Sequence, residues 1–424
     1  RILTEDLRNI YDGKSLGTKG TSYRQWVEIV EKYRDQHSEE REYWNNIISD
    51  YNGEGLQKLI NNQTDLDQNQ SIMQLSRELT EQLLRQSNRA YNTQVNDLLL
   101  TALGYALYEL IGSRVNHIVL EGHGREEIEE GVDVTKTMGW FTTIYPVRLE
   151  IKEELGESIK NIKEYLRQIP NRGIGYGTLI GYKVENLPKI SFNYLGQFDR
   201  EENLQSIEEF DVWKIVSESS GESVGVSNKD YNILNINGLV IDGSLQFSFT
   251  SKLDKEQTNK LAKIFKEKLQ EIIIKTTNQV RSYLTVSDID FIISQNYLDK
   301  LQSLTEIEDV YLANSLQQGF IYHALAQGSV DDAYLGQIIW SYNNILEVNC
   351  LKEAWGYAQR KFSSLRLRVA WEEELVQVIN KEGSLSWYYF DLSNEDNDVQ
   401  ESEIKRIQEE DRAKPYDLEQ GSLF

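Results

Sequence analysis

The stretch Val115 to Leu149 constrains this chain more than any other. It reads VNHIVLEGHGREEIEEGVDVTKTMGWFTTIYPVRL. The apolar run Ile118-Val119-Leu120 stops at Glu121, and Gly122, His123, Gly124 and Arg125 follow at once. An acidic segment comes next, then Gly139-Trp140-Phe141-Thr142-Thr143, then a second strand-like run ending at Arg148. The pattern predicts strand, polar glycine loop, acidic loop, strand. It sets a carboxylate at a strand end beside residues without side chains, where a ligand can approach the backbone closely.

Composition narrows the classes this site could serve. At 424 residues the chain has the length of about two or three domains. Its 68 acidic residues against 45 basic ones give a formal charge of −23. That balance excludes nucleic acid, which needs a basic footprint, and an anionic membrane surface. No apolar run is long enough to span a bilayer, and the opening RILTEDLRNIY is no signal peptide. One cysteine, Cys350, rules out an intrachain disulfide framework and suits a reducing cytoplasm. With that single cysteine and four scattered histidines, no metal site is expected.

Along the chain, helical and strand-like periods alternate irregularly. Arg1 to Tyr11 spaces Ile2, Leu3, Leu7, Ile10 and Tyr11 as an amphipathic helix, so the chain is expected to open inside an element, as a fragment would. Ser22 to Ile48 holds one or two helices, and Asn52 to Gln70 is loop-like. Thr93 is the expected N-cap of a helix from Gln94 to Ile111, stopped by Gly112. Glu157 to Ile169 is a further helix, ended by Pro170, and Asn171 to Gly177 is a glycine-rich turn. Ile190 to Tyr194 is a strand, and Tyr231–Ile241 with Ser244–Thr250 form a hairpin about Asp242-Gly243. Asp254 opens a long helix with Leu261, Phe265, Leu269 and Ile273 on one face. Residues 281–306 are the expected linker. A new unit starts at Ile307, with a helix at Leu316–Ala326, a strand at Leu335–Leu346, a helix at Leu351–Phe362 and a hairpin from Leu365–Trp371 and Leu375–Ile379. This mixture is α+β.

Several residues carry candidate chemistry. Glu121, desolvated beside an apolar strand, has the raised pKa that suits a general base or acid; it also reads as a strand-end Glu bonded to its loop. His123 reads as a second acid/base group or as a loop His bonded to backbone. Arg125 reads as a phosphate ligand or as a surface partner of Glu126 or Glu127. The glycines at 173, 175 and 177 fail the G-x-G-x-x-G spacing and lack the Lys-Ser/Thr of a P-loop. Asn193 and Tyr194 alternate across a strand, so only one of them faces a cleft unless a bulge intervenes.

Five segments occur in a telling order: Tyr91 to Thr101, Glu121-Gly122-His123-Gly124-Arg125-Glu126, Gly139-Trp140-Phe141-Thr142, Gly173-Ile174-Gly175-Tyr176-Gly177 and Phe192-Asn193-Tyr194-Leu195-Gly196-Gln197-Phe198. Together they resemble the epimerization domains of nonribosomal peptide synthetases over residues 1–280. Residues 307–424 resemble the start of the condensation domain of a following module, through Ile307-Glu308-Asp309-Val310-Tyr311, Gln317-Gln318-Gly319-Phe320 and Leu365-Arg366. The resemblance implies a chloramphenicol-acetyltransferase-like two-lobed architecture, with one full lobe (91–280), the rest of its N-lobe (1–90) and part of a third. It implies that a carrier domain's 4'-phosphopantetheine arm brings an aminoacyl or peptidyl thioester whose Cα is epimerized from L to D. Peptidyl carrier and neighbouring adenylation domains are then the partners, with no cofactor bound directly. The resemblance makes Glu121 catalytic and sets Asp6, His123, Arg125, Asn193 and Tyr194 along the substrate and pantetheine channel. The family's other proton-handling group is the second His of an HHxxxDG motif. No His pair exists here, since His37, His117, His123 and His323 are isolated; the motif is expected before Arg1, and the fragment alone is expected to be inactive. Two alternatives stand beside this reading: a condensation-type acyltransferase only, and a non-catalytic carrier-docking piece.

Overall fold

The computed structural model describes residues 2–51, 54–60, 68–197, 221, 225, 228, 230–327, 336–414, 417–421 and 423. Phe198, at the end of the fifth motif, and Leu335 lie outside them. The chain divides into two compact units, 1–89 with 93–278, and 90–92 with 279–424. Among the described residues no helix is long and apolar enough to cross a membrane.

The first unit runs α1 (Ile2–Tyr11), α2 (Tyr23–Gln36), α3 (Glu40–Asp50), α4 (Glu54–Gln57), β1 (Asn69–Gln74), α5 (Arg77–Arg85), α6 (Val95–Ile111), β2 (Val115–Gly122), β3 (Thr143–Glu150), α7 (Leu155–Arg167), α8 (Ile174–Leu179), β4 (Ile190–Gln197), β5 (Leu234–Ile241), β6 (Ser244–Ser251) and α9 (Lys255–Thr277). Its strands hydrogen-bond in the order β1-β6-β5-β4-β2-β3. The β2–β4 and β4–β5 pairs are parallel and the others antiparallel. This mixed sheet bears out the α+β class.

Helix α6 is apolar nearly all round, as a fully covered helix must be; Leu98, Leu99, Leu100 and Leu103 have no exposed surface. It packs against α7, α9 and the sheet. Its N-cap is Gln94 rather than the expected Thr93. The reason is Asp97, whose carboxylate accepts the Gln94 N–H at 2.7 Å. Gly112 ends the helix in the left-handed conformation, φ 83°. Helix α9 starts at Asp254, which accepts the Gln257 N–H at 2.8 Å, and turns Phe265 edge-on to Phe247 and Phe249 at 5.2 and 5.5 Å. The β5–β6 hairpin closes through Asp242 (φ 49°) and Gly243 (φ 71°), the two positive φ values that a tight hairpin turn demands. In contrast, the expected glycine-rich turn at 171–177 is a left-handed run followed by the short helix α8.

The second unit comprises α10 (Gln295–Leu304), β7 (Ile307–Leu312), α11 (Ser315–Gln327), α12 (Val348–Lys361), β8 (Leu367–Ala370), β9 (Val376–Asn380) and α13 (Asn397–Arg412). Its sheet has the order β7-β9-β8. The stretch read as linker, 281–306, is folded into this unit: Ile289, Leu298 and Leu301 share its core with Val310, Val376 and Val378. Arg366, 5% exposed, ties the sheet to α12. Its guanidinium donates to Glu308 at 2.6 Å and to the carbonyls of Asn380 and Gln359 at 2.6 and 3.0 Å. The expected strand at 335–346 does not form among the described residues: 336–347 belong to no strand, and Ile338, Trp340 and Ile345 are exposed. A strand exists only when another strand takes its ladder hydrogen bonds, and periodicity cannot supply that partner.

Asp97 is the polar keystone of the first unit. It is 1% exposed, caps α6, and takes both Arg167 nitrogens at 2.8 and 3.2 Å. Asp97→Ala leaves the guanidinium without its counter-ion and is expected to cost about 3 kcal/mol or more. Arg167→Ala added to it costs little more. Urea unfolding of the single and double variants measures both.

Candidate active site

The pairing of β2 with β4 is brief. Only Val119↔Ser191 and Leu120↔Phe192 are in register. On their outer sides both strands continue, with Glu121↔Ile144 and Gly122↔Thr143 to β3, and Asn193↔Asn237 and Tyr194↔Gly238 to β5. The seam between β2 and β4 therefore opens while the rest of the sheet stays closed. Leu120 and Phe192 are buried; the next residues, Glu121 and Asn193, point to the other face, as strand alternation requires.

At that opening Asn193 Nδ2 donates to Glu121 Oε2 at 3.2 Å. The other oxygen, Oε1, makes no hydrogen bond among the described residues. Glu121 keeps an open face to solvent. The protein around it still removes enough water that desolvation raises the carboxyl pKa above its ordinary value. A carboxylate with one oxygen held, one oxygen free and a raised pKa can take or return a proton. Tyr194 faces away, stacked 6.3 Å from Phe247, and burial pushes its hydroxyl pKa up. The strand alternation thus chooses Asn193 for the Glu121 face and Tyr194 for the core. The register shift between Tyr194 and Gln197, with Gly196 at φ 83°, comes only afterwards.

The loop leaving Glu121 folds back on itself. His123 Nδ1 accepts the Arg125 N–H at 3.0 Å, which leaves Nε2 to donate toward Glu126, 3.1 Å away. His123 is therefore spent on its own loop, the second of its two sequence readings. Arg125 forms no ion pair with Glu126 or Glu127 among the described residues, contrary to its reading as their surface partner. Its guanidinium lies over the Phe141 ring, 4.0 Å from the centroid, and donates to the Val134 carbonyl. The reason is local: Val134 and Phe141 belong to a small core with Trp26, Tyr33 and Ile174, and a flat guanidinium stacks on an aromatic face as an ammonium does not. Gly124 is obligatory in this turn. Its φ is 64°, and a β-carbon there would sit 1.6 Å from the Phe141 carbonyl oxygen.

Helix α2 and the segment before it fasten the rest of the loop. Thr21 N–H donates to the Asp133 carbonyl at 2.7 Å, and the Tyr23 hydroxyl donates to the Trp140 carbonyl at 2.8 Å. Trp140 itself is 80% exposed. Asp6 is on α1, which buries no residue; among the described residues no hydrogen bond joins it to Glu121. Of the expected site residues the structure thus brings Glu121 and Asn193 into direct contact, places His123 and Arg125 in the adjoining loop as its internal ties, turns Tyr194 toward Phe247, and shows no hydrogen bond from Asp6 to Glu121 among the described residues. Sequence reasoning passed over Tyr23, Phe141 and Glu126 as loop anchors. Phe141 lies in the Gly139-Trp140-Phe141-Thr142 motif and Glu126 in the Glu121-to-Glu126 motif, whereas Tyr23 lies in none of the five. Among the described residues no group of three His, Cys, Asp or Glu is placed to hold a metal ion.

The chain is similar to known proteins. The family model described as Condensation domain matches residues 1–290 and 307–424. Bacitracin synthase 3 of Bacillus licheniformis is 34% identical over 451 residues, covering 100% of this chain and 7% of that protein. Gramicidin S synthase 1 of Brevibacillus brevis is 36% identical over 352 residues, covering 74% of this chain and 31% of that protein. The chain thus spans only a small part of these curated relatives. Among solved structures, the epimerization domain from the third module of tyrocidine synthetase B is similar, with 31% identity, a TM-score of 0.55 and 66% of each chain covered. With both matched segments taken together, the chain belongs to the condensation-domain family, as a condensation- and epimerization-type part of the nonribosomal peptide synthetases.

Proposed function

We propose that residues 1–280 are the larger part of an epimerization domain (1–90 from its N-lobe, 91–280 its C-lobe), joined through 281–306 to the first part of a condensation domain at 307–424. The reaction is inversion at Cα of an aminoacyl or peptidyl thioester carried on the 4'-phosphopantetheine arm of a carrier domain of the same synthetase, working beside adenylation domains in the cytoplasm. The observation that carries this reading is the Glu121 carboxyl: desolvation raises its pKa, and Asn193 holds one of its oxygens at the opening between β2 and β4.

The thioester acidifies the Cα proton. Glu121 as carboxylate takes that proton, and the C–H electron pair moves into the enolate. Return of a proton to the opposite face inverts the centre. In this family the second proton-handling group is the second His of HHxxxDG, a motif that no residue of this chain supplies. Asn193 keeps the carboxylate turned toward the opening, so less reorganisation is left to the reaction step. His123 and Arg125 act by holding the loop that borders the site.

With the synthetase loaded with an L-residue in D2O, Glu121→Gln is expected to slow Cα exchange by about 10²- to 10⁴-fold. Exchange within tenfold of the parent protein would refute the assignment. Because the base form is needed, exchange in the parent rises with pH through the Glu121 pKa, and its acid limb lies above the ordinary value for a glutamate. Stability carries the opposite sign. A carboxyl whose folded pKa is raised contributes stability at low pH and loses it as pH rises through that pKa. Glu121→Gln is therefore expected to raise the melting temperature at neutral pH relative to the parent, with the difference vanishing below the usual Glu pKa.

A further inference from the structure

We propose that Glu40, with Tyr33 and Asn171, is a positioning unit for Glu121, acting through the left-handed run Asn171-Arg172-Gly173. The proposal rests on the reading of Glu121 given above and deepens it.

Glu40 lies in the first turn of α3, remote in sequence from the motifs, and is 7% exposed. Tyr33, in α2, is 2% exposed. The Tyr33 hydroxyl donates to Glu40 Oε1. Asn171 Nδ2 donates to the same oxygen at 2.9 Å and also to the Tyr33 hydroxyl oxygen. His37 stacks on the Tyr33 ring, centroids 4.1 Å apart, with Nδ1 3.9 Å from Glu40 Oε1. Glu40 Oε2 is buried without a hydrogen bond. It is pressed on Gly175, where a β-carbon would stand 2.4 Å away. A carboxylate in such a place destabilises the fold by itself. An apolar side chain would fill the same space without that penalty, so the hydrogen bonds to Asn171 call for a role beyond packing.

That role is visible in the backbone. Asn171 (φ 40°, ψ 41°) and Arg172 (φ 51°, ψ 35°) are both left-handed, and Gly173 follows at φ 82°. Non-glycine residues adopt this region in succession only when their surroundings hold them there. Glu40 and Tyr33 hold the first of the three. The other two touch the site. The Arg172 carbonyl oxygen lies 3.4 Å from where a Gly122 β-carbon would stand, and Gly173 lies against the Tyr145 ring at 2.1 Å by the same measure. The Arg172 guanidinium is 3.6 Å from Glu126, the carboxylate that also receives His123. Gly122 is the residue after Glu121. The run therefore bounds the Glu121 strand end from one side and steadies its loop from the other, and Glu40 sets where the run sits.

The test measures Cα exchange in the carrier-loaded synthetase across pH. Glu40→Ala removes the acceptor. Asn171→Gly suits the left-handed backbone and removes only the clamp. Each is expected to lower kcat about 10- to 100-fold with KM within about twofold of the parent, since an ångström of misplacement at a reacting group costs that much. Their combination falls no further, because both break one connection. Glu40→Gln keeps the accepting oxygen and restores kcat to within about threefold, as expected of an acceptor role. The acid limb of the pH profile moves in Glu40→Ala and Asn171→Gly, whereas a folding defect would scale the whole profile without moving it. Parental kcat in Asn171→Gly, an unmoved profile, or a Glu40→Gln as impaired as Glu40→Ala would overturn the proposal. Glu121→Gln run alongside separates the two readings. If it keeps exchange, the epimerase assignment itself is refuted. If it loses exchange while the Glu40 and Asn171 variants keep it, only the positioning role falls.

Discussion

Everything at the site depends on two parallel strands that pair for two residues and then part. Leu120 and Phe192 are apolar and face the helices behind the sheet, and Phe192 continues into the aromatic stack of Phe247 and Phe265. Burial of those rings holds the seam shut up to that level. One residue further the side chains change face and character to Glu121 and Asn193. No ladder bond joins the strands there, and the Asn193–Glu121 side-chain hydrogen bond crosses the opening. A carboxylate in this position is neither sunk in the core nor fully hydrated. Partial desolvation raises its pKa, the property that suits a group proposed to take up and return a proton.

The surroundings convert that position into a fixed one. The acidic loop after Glu121 would, on charge alone, repel itself into solvent. It is held instead by a small apolar core with residues of α2, by the Arg125 guanidinium lying on Phe141, and by hydrogen bonds from the Thr21 N–H and the Tyr23 hydroxyl to its backbone carbonyls. The left-handed run at Asn171-Arg172-Gly173 closes the other side. These ties are mostly single hydrogen bonds, each modest by itself. Their effect comes from converging on one loop of about twenty residues, the length at which an unheld segment would wander.

The second unit shows the same economy in a different setting. Its three-stranded sheet is short, so the segment from Leu284 to Leu301 supplies one wall of its core. The buried guanidinium of Arg366 ties β7, β9 and α12 together through Glu308 and two carbonyls. A charge buried this deeply is tolerable only because its donors find acceptors.

Much of this was legible in the sequence, because it depends on local rules. The hairpin at Asp242-Gly243 and the helix ended by Gly112 follow from backbone conformations that few residues allow, and the strand that ends just past Glu121 from the stop of its apolar run. The order of the five motifs was enough to recognise the family. What the sequence could not decide was direction and partnership. Asn193 rather than Tyr194 meets Glu121 because strand alternation meets one particular register of β2 on β4. Arg125 binds Val134 and Phe141 instead of its acidic neighbours because the folded loop, not the chain, sets which groups lie near. Residues 336–346 have a strand's pattern and no strand, since a ladder needs a second edge. Glu40 carried no signal at all, for its meaning lies in Asn171, 131 positions away along the chain, and only folding brings the two together.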